Sequence, residues 1–333
     1  MGAKRAKPQW RAVGESVRGA AHVRAGLPNQ DAIHWLPASG VGPPLILTIS
    51  DGHGSAKYFR SNVGSKLAAE KAAWVIQDLL DGQPDPTNLS AIKRTAFDRL
   101  PQEIVRSWRE AVEAHLQQTP LTPDELGTLE GREDAAARES IAANPLRAYG
   151  ATVLAALVAE TFILYLQLGD GDILVVSESG EVTRPMQRDE RLFANQTTSL
   201  CSTDAWRDVQ IHFQALVGPP PALILLATDG YANSFVNEAA FRQVGVDVLE
   251  MIRTEGLVAV QGNLVTWLDE ASQAGSGDDI TLGLLCRSDV EFVPKASEEA
   301  ELLDAEDDEF VWEVTTHIAR VKKGKGKRSD KEK

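Results

Sequence analysis

Hydrophobic and polar positions along the chain switch between continuous apolar runs, period-two alternation and helical spacing, and each switch predicts an element. From Trp10 the stretch WRAVGESVRG reads as a strand running into a glycine-marked turn. A polar loop, HVRAGLPNQDAIHWL, leads into a second strand. LILTIS at 45–50 is short and apolar, bounded by two prolines before and Asp-Gly after, as expected of a strand covered on both faces. From Ser55 to Leu80 the residues Phe59, Val63, Leu67 and Trp74 recur at helical spacing, which predicts one long helix. A second helix is expected over 91–117, with Pro101 as a kink or restart.

Residues 119–147 read as a surface connection with some helix. At Tyr149 the period returns to that of strands. ATVLAALVAE, TFILYLQLGD and ILVVSESGEVTRP predict a three-strand meander with SESGE as a hairpin turn. Residues 184–210 are polar and irregular. LILLATDG is another buried strand, helices follow around 238–271, and GSGDDITLGLLCRS closes as a strand. Helices set between runs of short strands, without βαβ alternation, predict an α+β layered fold.

Composition narrows the function classes. With 43% apolar and 25% charged residues the chain is an ordinary globular one. A formal charge of -14 makes nucleic acid an unexpected partner. No run approaches the roughly 18 apolar residues of a membrane span, and MGAKRAKPQW carries no apolar secretory segment. Cys201 and Cys286 stand far apart without CxxC spacing, which fits a reducing cytoplasm and excludes a cysteine zinc site. Residues 1–9 read as a basic arm. After Ser288, EEAELLDAEDDE and then KKGKGKRSDKEK make 289–333 a charged tail, with FVWEVTTHIA as one short element within it.

The chemistry lies where strands stop. LILTIS ends in Asp51, YLQLG in Asp170 and LILLAT in Asp229; ITLGLL is preceded by Asp278 and Asp279, and NQDA places Asp31 before a strand. Any one of these is a turn signal. Together they would bring several carboxylates to one end of a sheet stack, where repulsion is costly without cations. Hard divalent cations suit an all-oxygen shell, and a pair of them about 3.5–4 Å apart is a standard site for attack on phosphorus. The residues thus point to a two-metal hydrolase of phosphate esters. No GxxxxGK[ST] or GxSxG occurs.

NQDA (29–32), SDGHG (50–54), YGATVLAALV (149–158), LGDGDILVV (168–176), ATDG (227–230) and GDDITLGLL (277–285), in this order, resemble the metal-dependent protein Ser/Thr phosphatase family, protein phosphatase 2C-like, over about Trp10 to Arg287. The opening GAAHVRAGLPNQDA is similar to a bacterial branch with an HxxxGxxxQDA pattern. The resemblance implies a four-layer sandwich of two antiparallel β-sheets flanked by helix pairs, with the phosphatase domain spanning 10–288. It implies two Mn²⁺ or Mg²⁺ ions between the sheets, bridged by Asp51, with the Gly52 carbonyl on one and Asp229 and Asp278 on the other. Asp31 would orient metal-bound water, and Asp170 with Asp229 would hold a third, weaker ion. His53 would be the general acid for the leaving alkoxide, a role suited to a group titrating near neutrality.

The chain departs from the family pattern twice. Gln30 replaces the usual glutamate on the second metal, offering a neutral oxygen. The usual phosphate-gripping arginine would fall at Gly26, which leaves Arg24 and then Arg18 as candidates. The expected reaction is single-step hydrolysis of phosphoserine or phosphothreonine in proteins by a metal-bridging hydroxide, within a circuit that includes a cognate Ser/Thr kinase. Two alternatives stand beside it: a catalytically weakened module that binds phosphoproteins or a kinase, for which Gln30 speaks, and a hydrolase of small phosphate esters.

Overall fold

The computed structural model describes residues 9–132, 135–186 and 198–290. The basic arm up to residue 8 and the charged tail from 291 lie outside the described residues. Among the described residues, eleven strands form two sheets. In chain order they are β1 (Trp10–Val17), β2 (Ala32–Leu36), β3 (Val41–Gly42), β4 (Leu45–Ser50), β5 (Val153–Val158), β6 (Phe162–Leu168), β7 (Asp172–Val176), β8 (Val182–Thr183), β9 (Gln210–Ala215), β10 (Leu223–Ala227) and β11 (Ile280–Arg287). One sheet has the order β3-β1-β11-β10-β7-β8 and the other β2-β4-β5-β6-β9. Every pairing in both is antiparallel.

The helices are α1 (Ala20–Ala25), α2 (Ser61–Asp81), α3 (Leu89–Gln118), α4 (Pro123–Arg132), α5 (Ala135–Ala143), α6 (Asp229–Ala232), α7 (Glu238–Glu255) and α8 (Leu257–Ala274). α2 and α3 cover the five-stranded sheet, and α7 and α8 cover the six-stranded one. This gives four layers, as the family resemblance implies. The continuous apolar runs are explained by this stacking, because a strand with two covered faces has no polar side. Along β4, Ile46 faces the α2–α3 layer while Leu45, Leu47 and Ile49 face the opposite sheet. Along β10, Leu223 and Leu225 face α7 and α8 while Ile224 and Leu226 face inward. Each such fully buried aliphatic side chain stabilises the fold by about 1.5–3 kcal/mol in transfer free energy.

Several expectations need correction. The predicted meander is no meander: β5 and β6 pair in one sheet, whereas β7 joins β10 and β8 in the other. The crossing is made by Gly169–Asp170–Gly171. Gly169 has φ +112°, and a Cβ there would meet Thr152 at 2.5 Å, so only glycine allows the chain to leave one sheet so abruptly. The polar loop after β1 contains the short helix α1. The first long helix begins at Ser61 instead of 55, after a single 3-10 turn at Ala56–Tyr58. Pro101 neither restarts nor breaks α3, which is continuous and buried at that point. β9 starts at Gln210, where the stretch read as irregular ends, and over 211–215 the sequence reading assigns no element. No helix among the described residues is long and apolar enough to cross a membrane.

Candidate metal centre

Antiparallel register brings the acidic strand ends to one end of the sandwich. Ser50 pairs with Ala32, so Asp51 and Asp31 emerge side by side. Ala227 pairs with both Asp172 and Leu282, so Asp170, Asp229 and Asp278 emerge together from the other sheet. The two groups meet. The carboxyls of Asp51 and Asp229 lie close enough for each to act directly on the ionisation of the other. Burial pushes Asp51 well above the usual carboxylate range, and Asp31, Asp229 and Asp278 push it further. Burial likewise lifts Asp229 to about 6, with Asp170 and Asp278 adding to the rise and Asp51 opposing it.

The loops are fixed by a frame of hydrogen bonds. The Asp51 amide donates to the Thr152 hydroxyl (3.0 Å) and its carbonyl accepts from the Thr152 amide (2.8 Å). Gly52 is pressed between the Gln30 and Ser61 carbonyls, where a Cβ would lie 2.5 and 2.7 Å from oxygen; no other residue fits. Asp31 is buried, and its Oδ2 accepts from the hydroxyls of Thr228 and Thr281, each at 2.8 Å. Burial raises its pKa well above the carboxylate range, Asp279 and Asp229 raise it further, and the threonines oppose the rise.

Gln30 is buried, with 6% of its surface exposed. Its Nε2 donates to Ser61 Oγ (2.6 Å), while its Oε1 is buried without a hydrogen-bond partner. An unmet acceptor of this kind costs roughly 1–3 kcal/mol, and a cation beside it would satisfy it. Two observations therefore make the residues fit divalent cations: closely set carboxyls, buried at Asp31 and half-buried at Asp51 and Asp229, and one orphaned carbonyl oxygen. The donors are oxygens throughout, as Mn²⁺ or Mg²⁺ prefers.

His53 stands at the rim. Its backbone amide donates to the Gly150 carbonyl (3.1 Å), and its ring lies 4.7 Å from that of Tyr58. Expected to titrate near neutrality, it does not: burial lowers its pKa to about 4, with Asp170 opposing and Lys57 assisting. The imidazole is therefore neutral at pH 7. Arg24 lies exposed on α1 with its guanidinium beside Gly277, and Arg18 donates to the Leu27 carbonyl at 3.5 Å.

The sequence reading gave His22 no role, although it opens the HxxxGxxxQDA pattern. The structure sets its Nδ1 2.8 Å from Asp279 Oδ2 and its Nε2 3.6 Å from Asp278 Oδ1. Asp279 is buried and accepts from the amides of Gly19 (2.6 Å) and Gln30 (2.7 Å), so it ties the loop bearing Gln30 to the start of β11. Asp278 is the more exposed of the pair, at 53%. The histidine's fixed spacing from Gln30 within the opening motif was the signal that could have drawn attention to it.

The sequence model of protein phosphatase 2C matches residues 18–269. No curated protein matches the chain significantly in sequence. Among solved structures, the chain is similar to the Mycobacterium tuberculosis serine/threonine phosphatase PstP (16% identity, 84% of this chain and 99% of that one, TM-score 0.48). The catalytic domain of PstP in complex with two manganese ions gives 16% identity, 84% and 98% coverage, and a TM-score of 0.48. Serine/threonine phosphatase Stp1 from Staphylococcus aureus gives 15%, 83%, 94% and 0.47 respectively.

Proposed function

The chain belongs to the protein phosphatase 2C family, and on that premise we propose that it hydrolyses phosphoserine and phosphothreonine in proteins at a centre of two divalent cations, Mn²⁺ or Mg²⁺. The observation that carries this reading is the close approach of Asp51 and Asp229, two half-buried carboxyls from facing sheets. On this reading Asp51 and the Gly52 carbonyl would hold one cation, and Asp51, Asp229 and Asp278 the other, with the Gln30 Oε1 as a neutral ligand. Asp170 with Asp229 would hold a third, weaker one. Cations held there would acidify water and neutralise charge building on the phosphoryl group.

The chain's own groups do the rest. Asp31, fixed by two threonine hydroxyls, orients the attacking water. Arg24 or Arg18 grips the phosphate oxygens. His53, neutral and packed on Tyr58, would act as a relay: its ring N–H goes to the leaving oxygen while the other ring nitrogen takes a proton from water, so the imidazole stays neutral. We assign this work to a domain spanning 10–288, acting in the cytoplasm on phosphoproteins and opposing the kinase that modifies them.

Hydrolysis of an aryl phosphate and of a phosphothreonine peptide tests the reading, with Mn²⁺, Mg²⁺ or chelator, and with Asp229→Asn as control. Metal-dependent turnover of both substrates, lost in the variant, is expected. Turnover of the aryl ester alone would identify a small-molecule esterase. The rival, a binding module with a weakened centre, is favoured by one observation, the neutral Gln30; no turnover by folded protein at millimolar Mn²⁺ would select it.

A further inference from the structure

Beside the centre lies a cavity of about 170 Å³, lined by Lys57, Tyr58, Ser140, Arg147, Cys201 and Ser202 among others. It holds several times the roughly 30 Å³ that one water occupies in the liquid. Tyr58 forms a wall shared with His53, whose ring it packs against at 4.7 Å, so the cavity opens next to where a leaving oxygen would depart. Among the described residues its lining contains no carboxylate. In a chain of net charge -14 this is a local reversal of sign.

The two cations are not spent on structure. Neither Lys57 nor Arg147 has a carboxylate partner among the described residues. Lys57 is half-buried and Arg147 is exposed, whereas the more deeply buried guanidiniums of Arg60, Arg184 and Arg287 are taken up by Glu125, Asp172 and Asp289. Lys57 lies over the Tyr58 ring at 5.0 Å, and Arg147 donates to the Ser140 hydroxyl. Both charges also act on the Cys201 thiol, which places them around one space. The far wall is braced from behind, since Arg109 donates to the carbonyls of Ser202 and Thr203. Apolar neighbours Ala137 and Ile141 lower the local dielectric and strengthen any ion pair formed inside.

We propose that this cavity is a second anion subsite, which takes a carboxylate or a second phosphoryl group lying a few residues from the phosphorylated serine or threonine. The inference rests on the phosphatase reading and deepens it: substrates carrying a further acidic group near the scissile phosphate are preferred. The preference comes from Lys57 and Arg147, with the hydroxyls of Ser140 and Ser202 as additional donors.

The test is a set of phosphothreonine peptides. One has neutral flanks, others carry a single aspartate stepped from three residues before to three after, and a last group carries phosphoserine at the same steps. At one or more steps kcat/KM should rise about tenfold, mainly through KM, as one charge-assisted contact would give. Aspartate and phosphoserine arms separate the two sources of the anion. Arg147→Glu should abolish the ratio between acidic and neutral peptides, and Lys57→Gln should reduce it; using the ratio cancels changes in basal rate. Calorimetric titration of the same peptides into wild-type protein in chelator reads binding without turnover, and the acidic peptides should bind about tenfold more tightly. Equal kcat/KM across an otherwise active series, or a preference that survives both variants, overturns the subsite and leaves the phosphatase reading intact. No turnover with preferential binding retained overturns the phosphatase reading alone. Equal or absent binding in chelator counts against the subsite.

Discussion

Asp51 and Asp229 sit close together at the ends of β4 and β10, in an environment that opposes ionisation of both. Two carboxyls so placed destabilise the fold wherever pH would ionise them, until a cation lies between them. Asp51→Asn takes away one of the two ionisable groups and keeps the shape, so in chelator the variant should melt at a higher temperature than wild type. Millimolar Mn²⁺ should stabilise wild type by about 3–4 kcal/mol at 100- to 1,000-fold excess over Kd and should leave the variant unmoved; calorimetry in both conditions checks each part. Gln30→Glu runs the other way. Its Oε1 already points without a partner into the buried end of the sandwich, and Ser61 Oγ can turn to donate to a carboxylate in place of accepting from the amide. The variant should lower the half-saturating Mn²⁺ concentration by about tenfold and lower stability in chelator. At this scale the aspartates were legible because each interrupts an apolar run at its end. His22 was not, since a single histidine in a polar stretch has no period, and its contact with Asp278 and Asp279 depends on residues more than 250 positions away.

Elements around the centre are held by fewer, stronger contacts than their length suggests. Arg60, at the start of α2, is buried and donates through Nε and Nη2 to both oxygens of Glu125 on α4 (2.7 and 2.8 Å). It also donates to the Tyr149 hydroxyl and to the carbonyls of Thr119 and Pro120, so one guanidinium joins α2, α4, the end of α3 and the turn before Gly150. That turn in turn receives the His53 amide. The Arg60 side chain holds the Glu125 pKa down to about 2. A depressed carboxylate contributes stability that is present above its unfolded value, about 4.3, and lost as pH falls towards 2. Glu125→Ala should cost roughly 2 kcal/mol at pH 7, and the difference from wild type should shrink between pH 4 and pH 2 in urea unfolding. Strong periodicity made α2 and α3 legible. β9 was overlooked although Ile211 and Phe213 alternate with His212 and Gln214, because an edge strand of mixed polarity resembles a loop until its partner β6 is known.

Across the whole molecule, the centre is where two sheets with separate cores on their outer faces converge. The inner apolar layer joins them along most of their length. At the acidic end the links are polar: Asp31 to Thr228 and Thr281, and Asp279 to the amides of Gly19 and Gln30. Layer order could be inferred from the sequence because continuous apolar runs demand two covered faces. The assignment of β7 to the second sheet could not, since hairpin succession and a crossing through Gly169–Asp170–Gly171 give the same local pattern. That crossing carries Asp170 from one sheet towards Asp229 and Asp278 of the other, so a cation held as proposed would cross-link the sheets. Amides beside the proposed ligands, at Gly52, His53, Gly230 and Asp279, should exchange through local opening of this end. Mn²⁺ should slow their hydrogen exchange by about tenfold or more. Amides of the turns at the opposite end, around Glu160 and Gly180, open without parting the sheets and should exchange at unchanged rates. Equal slowing at both ends would mean that the cation acts only through global stability, and slowing in one sheet alone would mean that the ligands from the other do not engage it.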